Sequence, residues 1–154
     1  MSADDRESLG AVFELHGPTL WRALYAYAGG RRDIADDAVA EAFARALEHR
    51  STIRSPLPWL YRIAFRVAAQ ELRRPVSYDL PASAGDVAPP TAVVEVIDGL
   101  RRLPPRERAA LVMFYEADMP VRDIANLLGT SQVSIRVHLH NGRKRLERMW
   151  GNDG

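Results

Sequence analysis

The sequence predicts an all-α protein of two small helical domains joined by a flexible linker. Three observations carry this reading. Apolar residues recur at three- and four-residue spacing on both sides of the chain's middle, with no strand-like alternation. Residues 75–91 hold four prolines, one glycine and no periodic apolar pattern, the composition of an extended linker. The flanking segments, residues 1–74 and 92–154, are each small enough that stability alone would be marginal.

The first domain opens with a helix whose apolar set includes Phe13, Leu20, Trp21, Leu24 and Tyr25, and Gly29 and Gly30 end it. A second helix follows over about residues 33–49. Ile34, Ala38, Phe43, Ala46 and Leu47 form its inner face, and Asp33, Asp37, Glu41 and Glu48 an acidic one. Glu41 and Arg45 are spaced for an i,i+4 ion pair. The ordinary reading of such a stripe is a solvated surface. Ser55, Pro56, Leu57 and Pro58 then read as a helix entry, and a third helix is expected from Pro58, in its first turn, to about Arg74. With Trp59 at 0° and roughly 100° per residue, Arg62, Arg66 and Arg73 fall in a ribbon between about 300° and 340°. Leu60, Tyr61, Ile63, Ala64, Phe65, Val67, Ala68 and Leu72 occupy the broad apolar remainder. Such a helix is mostly buried and shows a partner only its arginine seam, which Arg50 and Arg54 extend into the preceding loop. An arginine row beside an aromatic suits a nucleic-acid backbone and an unstacked base, while internal ion pairs and core packing of Trp59 remain the alternative.

The second domain contains the strongest pattern. Ile124, Ala125 and Leu128 lie on a short helix ended by Gly129, and Thr130 or Ser131 caps a long helix reaching about Met149. Small Ala125 allows the close crossing of a helix-turn-helix. On the long helix Ile135, Leu139, Gly142, Leu146 and Met149 share an inward face. Val133, Val137, His140, Lys144 and Arg148 lie opposite, flanked by Arg136 and Arg143. Residues 130–150 carry five basic side chains and one acidic, as expected of a recognition helix in the DNA major groove. Val133 and Val137 could meet thymine methyls there, or be ordinary surface residues.

Composition sets the exclusions. In 154 residues the net charge is +1, with 47% hydrophobic, 27% charged and no cysteine. Without cysteine there are no disulfides, thiolate metal sites or thiol nucleophiles. The near-neutral total hides segregation between an acidic helix and basic surfaces. No apolar run exceeds seven residues, against roughly 20 for a membrane span. The charged first ten residues argue against secretion, so a cytoplasmic location is expected. His138 and His140 point to different sides of their helix and are poorly placed to share a metal. No phosphate loop or nucleophile triad is present; neither enzymatic activity nor a cofactor is expected.

Taken together, these residues resemble a family. Asp36, Asp37, Glu41, Phe43, Arg45 and Leu47, followed by Trp59, Leu60, Arg62, Ile63 and Ala64 and ending in Leu72, Arg73 and Arg74, resemble region two of the extracytoplasmic-function (ECF) sigma factors of bacterial RNA polymerase. Residues 103–108, with Ile124, Ala125, Leu128, Gly129, Arg143, Lys144, Arg145 and Leu146, resemble their region four. The resemblance spans about residues 11–74 and 93–149 and implies a mechanism. Asp37, Glu41 and Arg45 would dock on core polymerase, and Arg54, Trp59, Arg62 and Arg66 would read and open the minus-ten promoter element. Gln132, Val133, Arg136, Val137 and His140 would read the minus-thirty-five duplex, with Lys144, Arg145 and Arg148 on its backbone. An anti-sigma partner is common in the family. Ala40, Arg66, Val133 and Gly142 stand where the family usually has glutamine, asparagine, glycine and alanine, which implies unusual promoter preference or a divergent member. A LuxR-type regulator shares the pattern of Ser131, Ser134, Ile135, Arg136 and His138 but needs a sensing domain that residues 1–74 do not suggest. A helical adaptor without DNA binding is the third reading.

Overall fold

A computed structural model describes residues 3–74 and 91–151, and these form seven helices without a strand. The expected linker, residues 75–90, lies outside the described residues, and helix begins again at Thr91. The helices are α1 (Ala3–Tyr27), α2 (Arg32–His49), α3 (Pro56–Arg73), α4 (Thr91–Arg101), α5 (Pro105–Tyr115), α6 (Val121–Leu128) and α7 (Gln132–Gly151).

In the first half α1, α2 and α3 pack on one another. Ala35, Ala38, Ala42 and Ala46 are all buried on α2, and their lack of bulk lets its backbone lie close to its neighbours. The expected inner face needs two corrections. Leu47 is exposed, and Phe13 on α1 is half exposed, meeting only the edge of the Phe43 ring at 4.9 Å. On α2, Val39 and Ala42 are buried along with Ile34, Ala35, Ala38 and Ala46. On α3, Leu60, Tyr61, Ala64, Phe65, Val67 and Ala68 are buried, as its apolar arc predicts, and Trp59 packs on the core from its edge. The helix starts at Pro56, two residues before the expected proline; both prolines fit a first turn, where an N–H has no helical partner anyway.

In the second half α5 and α6 pack against α7. Gly129 caps α6 in the left-handed conformation, φ +65°. The Ser131 Oγ accepts the Ser134 backbone N–H at 3.1 Å, so Ser131, not Thr130, caps α7. Ile135, Leu139, Gly142 and Leu146 are buried and Met149 is half-buried. A Cβ on Gly142 would lie 2.7 Å from Leu111 Cδ1, so the glycine allows a closer approach of α5 and α7 than alanine would.

The two halves also pack on each other. α1 contacts α4 and α5, α3 contacts α6, and buried residues from Leu9 to Leu146 form one continuous hydrophobic cluster. Burial of each small core is extended by the other, which offsets the marginal stability of domains this size.

Candidate nucleic-acid and protein interface

Three surfaces hold the residues singled out in the sequence. On α2 the Arg45 Nε donates to Glu41 Oε1 at 2.9 Å, the expected i,i+4 pair, and Asp37 is exposed beside them. One turn earlier the Arg31 guanidinium donates to Asp33 and holds its carboxyl below the usual range. Trp21 Nε1 donates to Asp36 Oδ1 at 2.7 Å, and the Trp21 and Tyr25 rings stack at 5.1 Å. Asp36 therefore ties α2 to the first helix.

Glu71, on α3, shares this acidic surface. Burial, then its hydrogen bond to Asp37 and that residue's charge, push its pKa from 4.5 up to about 7, with Arg74 opposing. The folded state thus holds an extra proton between these values. The associated stabilisation is complete below pH 4.5 and is lost as pH rises through about 7. Glu71→Gln, which keeps the hydrogen bond without the charge, is expected to melt close to the parent at pH 5 and above it at pH 8. Thermal melts across that range test this; parallel pH profiles for the two proteins would show that the carboxyls are not coupled.

The α3 ribbon is formed as its periodicity predicts. Arg62, Arg66 and Arg73 line one cleft of about 530 Å3, and its opposite wall is not solvent but the helix-turn-helix, through Arg106 and Asn126 to Gly129. None of the three ribbon arginines has an ion pair with another described residue. Arg106 Nη1 donates to the Leu128 carbonyl at 3.2 Å, which fixes the turn to α5. Arg54 is exposed in the loop before α3 and does not line this cleft.

On α7 Gln132, Val133, Arg136, Val137, His140, Lys144, Arg145 and Arg148 are all exposed, with Val133 at 67% and Val137 at 49%. Arg136 Nη2 reaches Gln132 Oε1 at 3.5 Å, so both present one polar edge. His140, Lys144, Arg145 and Arg148 surround a shallow basic depression. Two arginines have roles that helical spacing alone does not reveal. Arg143 turns away from this face and donates to Tyr115 Oη at 2.9 Å. Arg145 Nε lies 3.0 Å from Oε2 of Glu107, a buried carboxylate on α5, while the arginine side chain stays half exposed. Arg145 therefore neutralises an internal charge and still shows part of its guanidinium to the outer face.

An apolar groove of about 800 Å3 runs between α1, α4, α5 and α7, with Val93, Val96, Tyr115 and Trp150 exposed along it. The sequence reading missed this surface because its residues come from four helices in both halves. The described residues contain no group of three or more His, Asp or Glu able to hold a metal. No described helix is long and apolar enough to cross a membrane.

Two family descriptions fit the chain: Sigma-70 region 2 matches residues 12–75 and Sigma-70, region 4 matches residues 94–146. The ECF RNA polymerase sigma factor BldN of Streptomyces coelicolor is 22% identical over 169 residues, covering 98% of this chain and 63% of that protein. The ECF RNA polymerase sigma factor SigM of Mycobacterium tuberculosis is 27% identical over 158 residues, covering 97% of this chain and 80% of the relative. The chain thus spans less than two thirds of the length of one of these relatives. Among solved structures, CnrH in complex with the cytosolic domain of CnrY is similar with a TM-score of 0.78 at 20% identity, over 97% of this chain and 91% of that one. The sigma factor RpoE in complex with the anti-sigma factor NepR from Bartonella quintana is similar with a TM-score of 0.74 at 18% identity, over 99% and 100% of the chains. At these identities the structural likeness speaks for the fold.

Proposed function

Because the chain belongs to the sigma-70 family, in its ECF group, with region 2 in α1–α3 and region 4 in α4–α7, we propose that it binds core RNA polymerase and directs it to promoters. The observation that carries this reading is the pairing, in one chain, of an acidic helix with two separate basic surfaces. Asp37, Glu41 and Arg45 form the polymerase contact. Arg54, Trp59, Arg62 and Arg66 act on the minus-ten element. The exposed face of α7 reads the minus-thirty-five duplex through Gln132, Val133, Arg136, Val137 and His140, with Lys144, Arg145 and Arg148 on phosphates. Opening DNA costs about 1.4 kcal/mol of stacking per step; arginines and an aromatic edge on α3 suit the separated strand. The factor acts without a cofactor and catalyses no reaction itself. It works in the cytoplasm, where polymerase is.

The three helices of residues 3–74 contain no strand, which disfavours the sensing domain of a LuxR-type regulator. An anti-sigma partner belongs to the same proposal, and the exposed apolar groove between α1, α4, α5 and α7 supports it.

Transcription with purified core polymerase tests the function. Adding the chain is expected to create new start sites, and Glu41→Ala to weaken polymerase binding while leaving duplex binding by residues of α7 intact. If polymerase neither binds the chain nor initiates with it, the proposal fails; DNA binding alone would then point to a regulator of another class, and no DNA binding to an adaptor.

A further inference from the structure

The cleft between α3 and the helix-turn-helix gathers four cations and no counter-charge. Arg62, Arg66 and Arg73 line it from α3 and Arg106 from the first turn of α5, while none of its lining residues is acidic. Arg62 is half-buried and Arg66 and Arg73 are exposed, so an incoming ligand can reach all three. None of these three has an ion pair with another described residue, and Arg106 donates to the Leu128 carbonyl through Nη1 alone. Like charges focused in a cleft raise a positive potential that a bound anion relieves. The start of α5 adds to it, because Pro105 and Arg106 line the cleft and a helix N-terminus carries positive partial charge. The carboxyl end of α6 borders the same space, but Arg106 covers its Leu128 carbonyl.

Beneath the cations the cleft is apolar. Tyr27, Phe65 and Met113 line it and are buried, and the Tyr27 and Phe65 rings lie 5.0 Å apart. Burial raises the Tyr27 pKa, against the opposing charges of Arg108 and Arg73, so its ring stays a neutral phenol. Contacts between the halves hold the two walls in place. Arg101 of α4 donates to the Gly29 carbonyl from Nε at 2.9 Å and from Nη2 at 2.6 Å. Arg108 of α5 places its guanidinium 4.9 Å from the centroid of the Tyr27 ring. The cleft is therefore preformed, and its volume of about 530 Å3 is that of a small-molecule site. Arginine's planar fork matches the oxygens of a phosphate, and aromatic and thioether edges suit the ring of a base.

We propose that this cleft binds a free nucleoside polyphosphate, with its phosphates on Arg62, Arg66, Arg73 and Arg106 and its base against Phe65 and Met113. A carboxylate or a single phosphate would leave most of the four cations unmatched; a chain of two or three phosphates reaches several of them. Arg62 and Arg66 are also the residues assigned to the minus-ten element, so the nucleotide and a separated DNA strand compete for them. That competition rests on the promoter-reading function above, whereas the binding site itself does not.

Calorimetric titration of the full-length chain with ATP, pyrophosphate and adenosine at fixed salt tests the site. One ATP is expected to bind per chain, at least about tenfold tighter than either pyrophosphate or adenosine, because only ATP uses both the cations and the apolar floor. Arg66→Ala and Arg106→Ala are each expected to weaken ATP by about tenfold or more, the loss of a hydrogen-bonded charge on phosphate. Arg122→Ala, which removes an exposed arginine of α6 outside the cleft, is expected to change it by less than about twofold, since salt screens distant charge. Arg66 is exposed and holds no described partner, so its variant keeps the fold and is read alone where Arg106→Ala loses helix. A thymidine strand of about ten nucleotides is expected to displace the ATP. Pyrophosphate binding as tightly as ATP, or an equal loss with Arg122→Ala, overturns the site, and ATP that the strand fails to displace overturns the shared use of the arginines. A chain that directs transcription without binding ATP overturns the site and leaves the sigma-factor function standing. A chain that binds ATP as expected yet directs no transcription does the reverse.

Discussion

Ile135→Ala is expected to destabilise the helix-turn-helix by about 2–5 kcal/mol, the usual cost of truncating a fully buried isoleucine. Ile135 is completely buried, as is Ile124 on α6, and these two helices pack together below the recognition surface. For a chain of this size the melting midpoint should fall by about 5–15 °C. Calorimetry measures the drop directly. Because one continuous cluster spans both halves, α1–α3 should also lose stability, and circular dichroism should show a single shifted transition. A shift below about 2 °C would mean that the crossing of α6 and α7 is not the packed core described here.

Arg136→Ala is expected to reduce affinity for the minus-thirty-five duplex by about 1–3 kcal/mol, the range for a side chain that reads a base edge. The same substitution should flatten discrimination at one base position. Arg136 is exposed on the outer face of α7 with only a long contact to Gln132, so its removal leaves the fold unchanged. Lys144→Ala provides the contrast. A phosphate contact should weaken all sequences alike and lower the slope of log affinity against log salt by about one. Titrations of a set of single-base duplex variants at fixed salt, repeated at two salt concentrations, separate these outcomes. Equal losses for every duplex with Arg136→Ala would assign it to the backbone and leave base reading to Gln132, Val133, Val137 or His140.

These expectations come from surfaces of differing legibility. Most of the outer face of α7 is legible from spacing, which decides which residues lie opposite Ile135, Leu139 and Leu146. The exceptions, Arg143 and Arg145, are long side chains that bend towards Tyr115 and Glu107 on α5, and spacing does not report where a flexible side chain ends. The α3 ribbon was visible as a ribbon, but not its opposite wall. On α2 the pattern gave Glu41 and Arg45 correctly and misplaced Leu47. Hydrophobicity favours Leu47 for the core, while the close approach that Ala35, Ala38, Ala42 and Ala46 permit leaves it outside.

Local residue patterns specify the helices, their order, the turn at Gly129, the segregation of charge and the absence of thiol chemistry. Each follows from residues within a few positions of one another, where backbone geometry and solvation act locally. Docking of the halves arises from packing between helices far apart in the chain. Packing also brings Arg101 and Arg108 to the end of α1 and sets the helix-turn-helix across a cleft from the α3 arginines, of which Arg66 and Arg73 stay exposed. Arg101 and Gly29 are 72 residues apart, and their contact is a guanidinium on one carbonyl oxygen. No periodicity encodes such a pair; it forms because packed helices bring a cation to a helix end that has a carbonyl to offer.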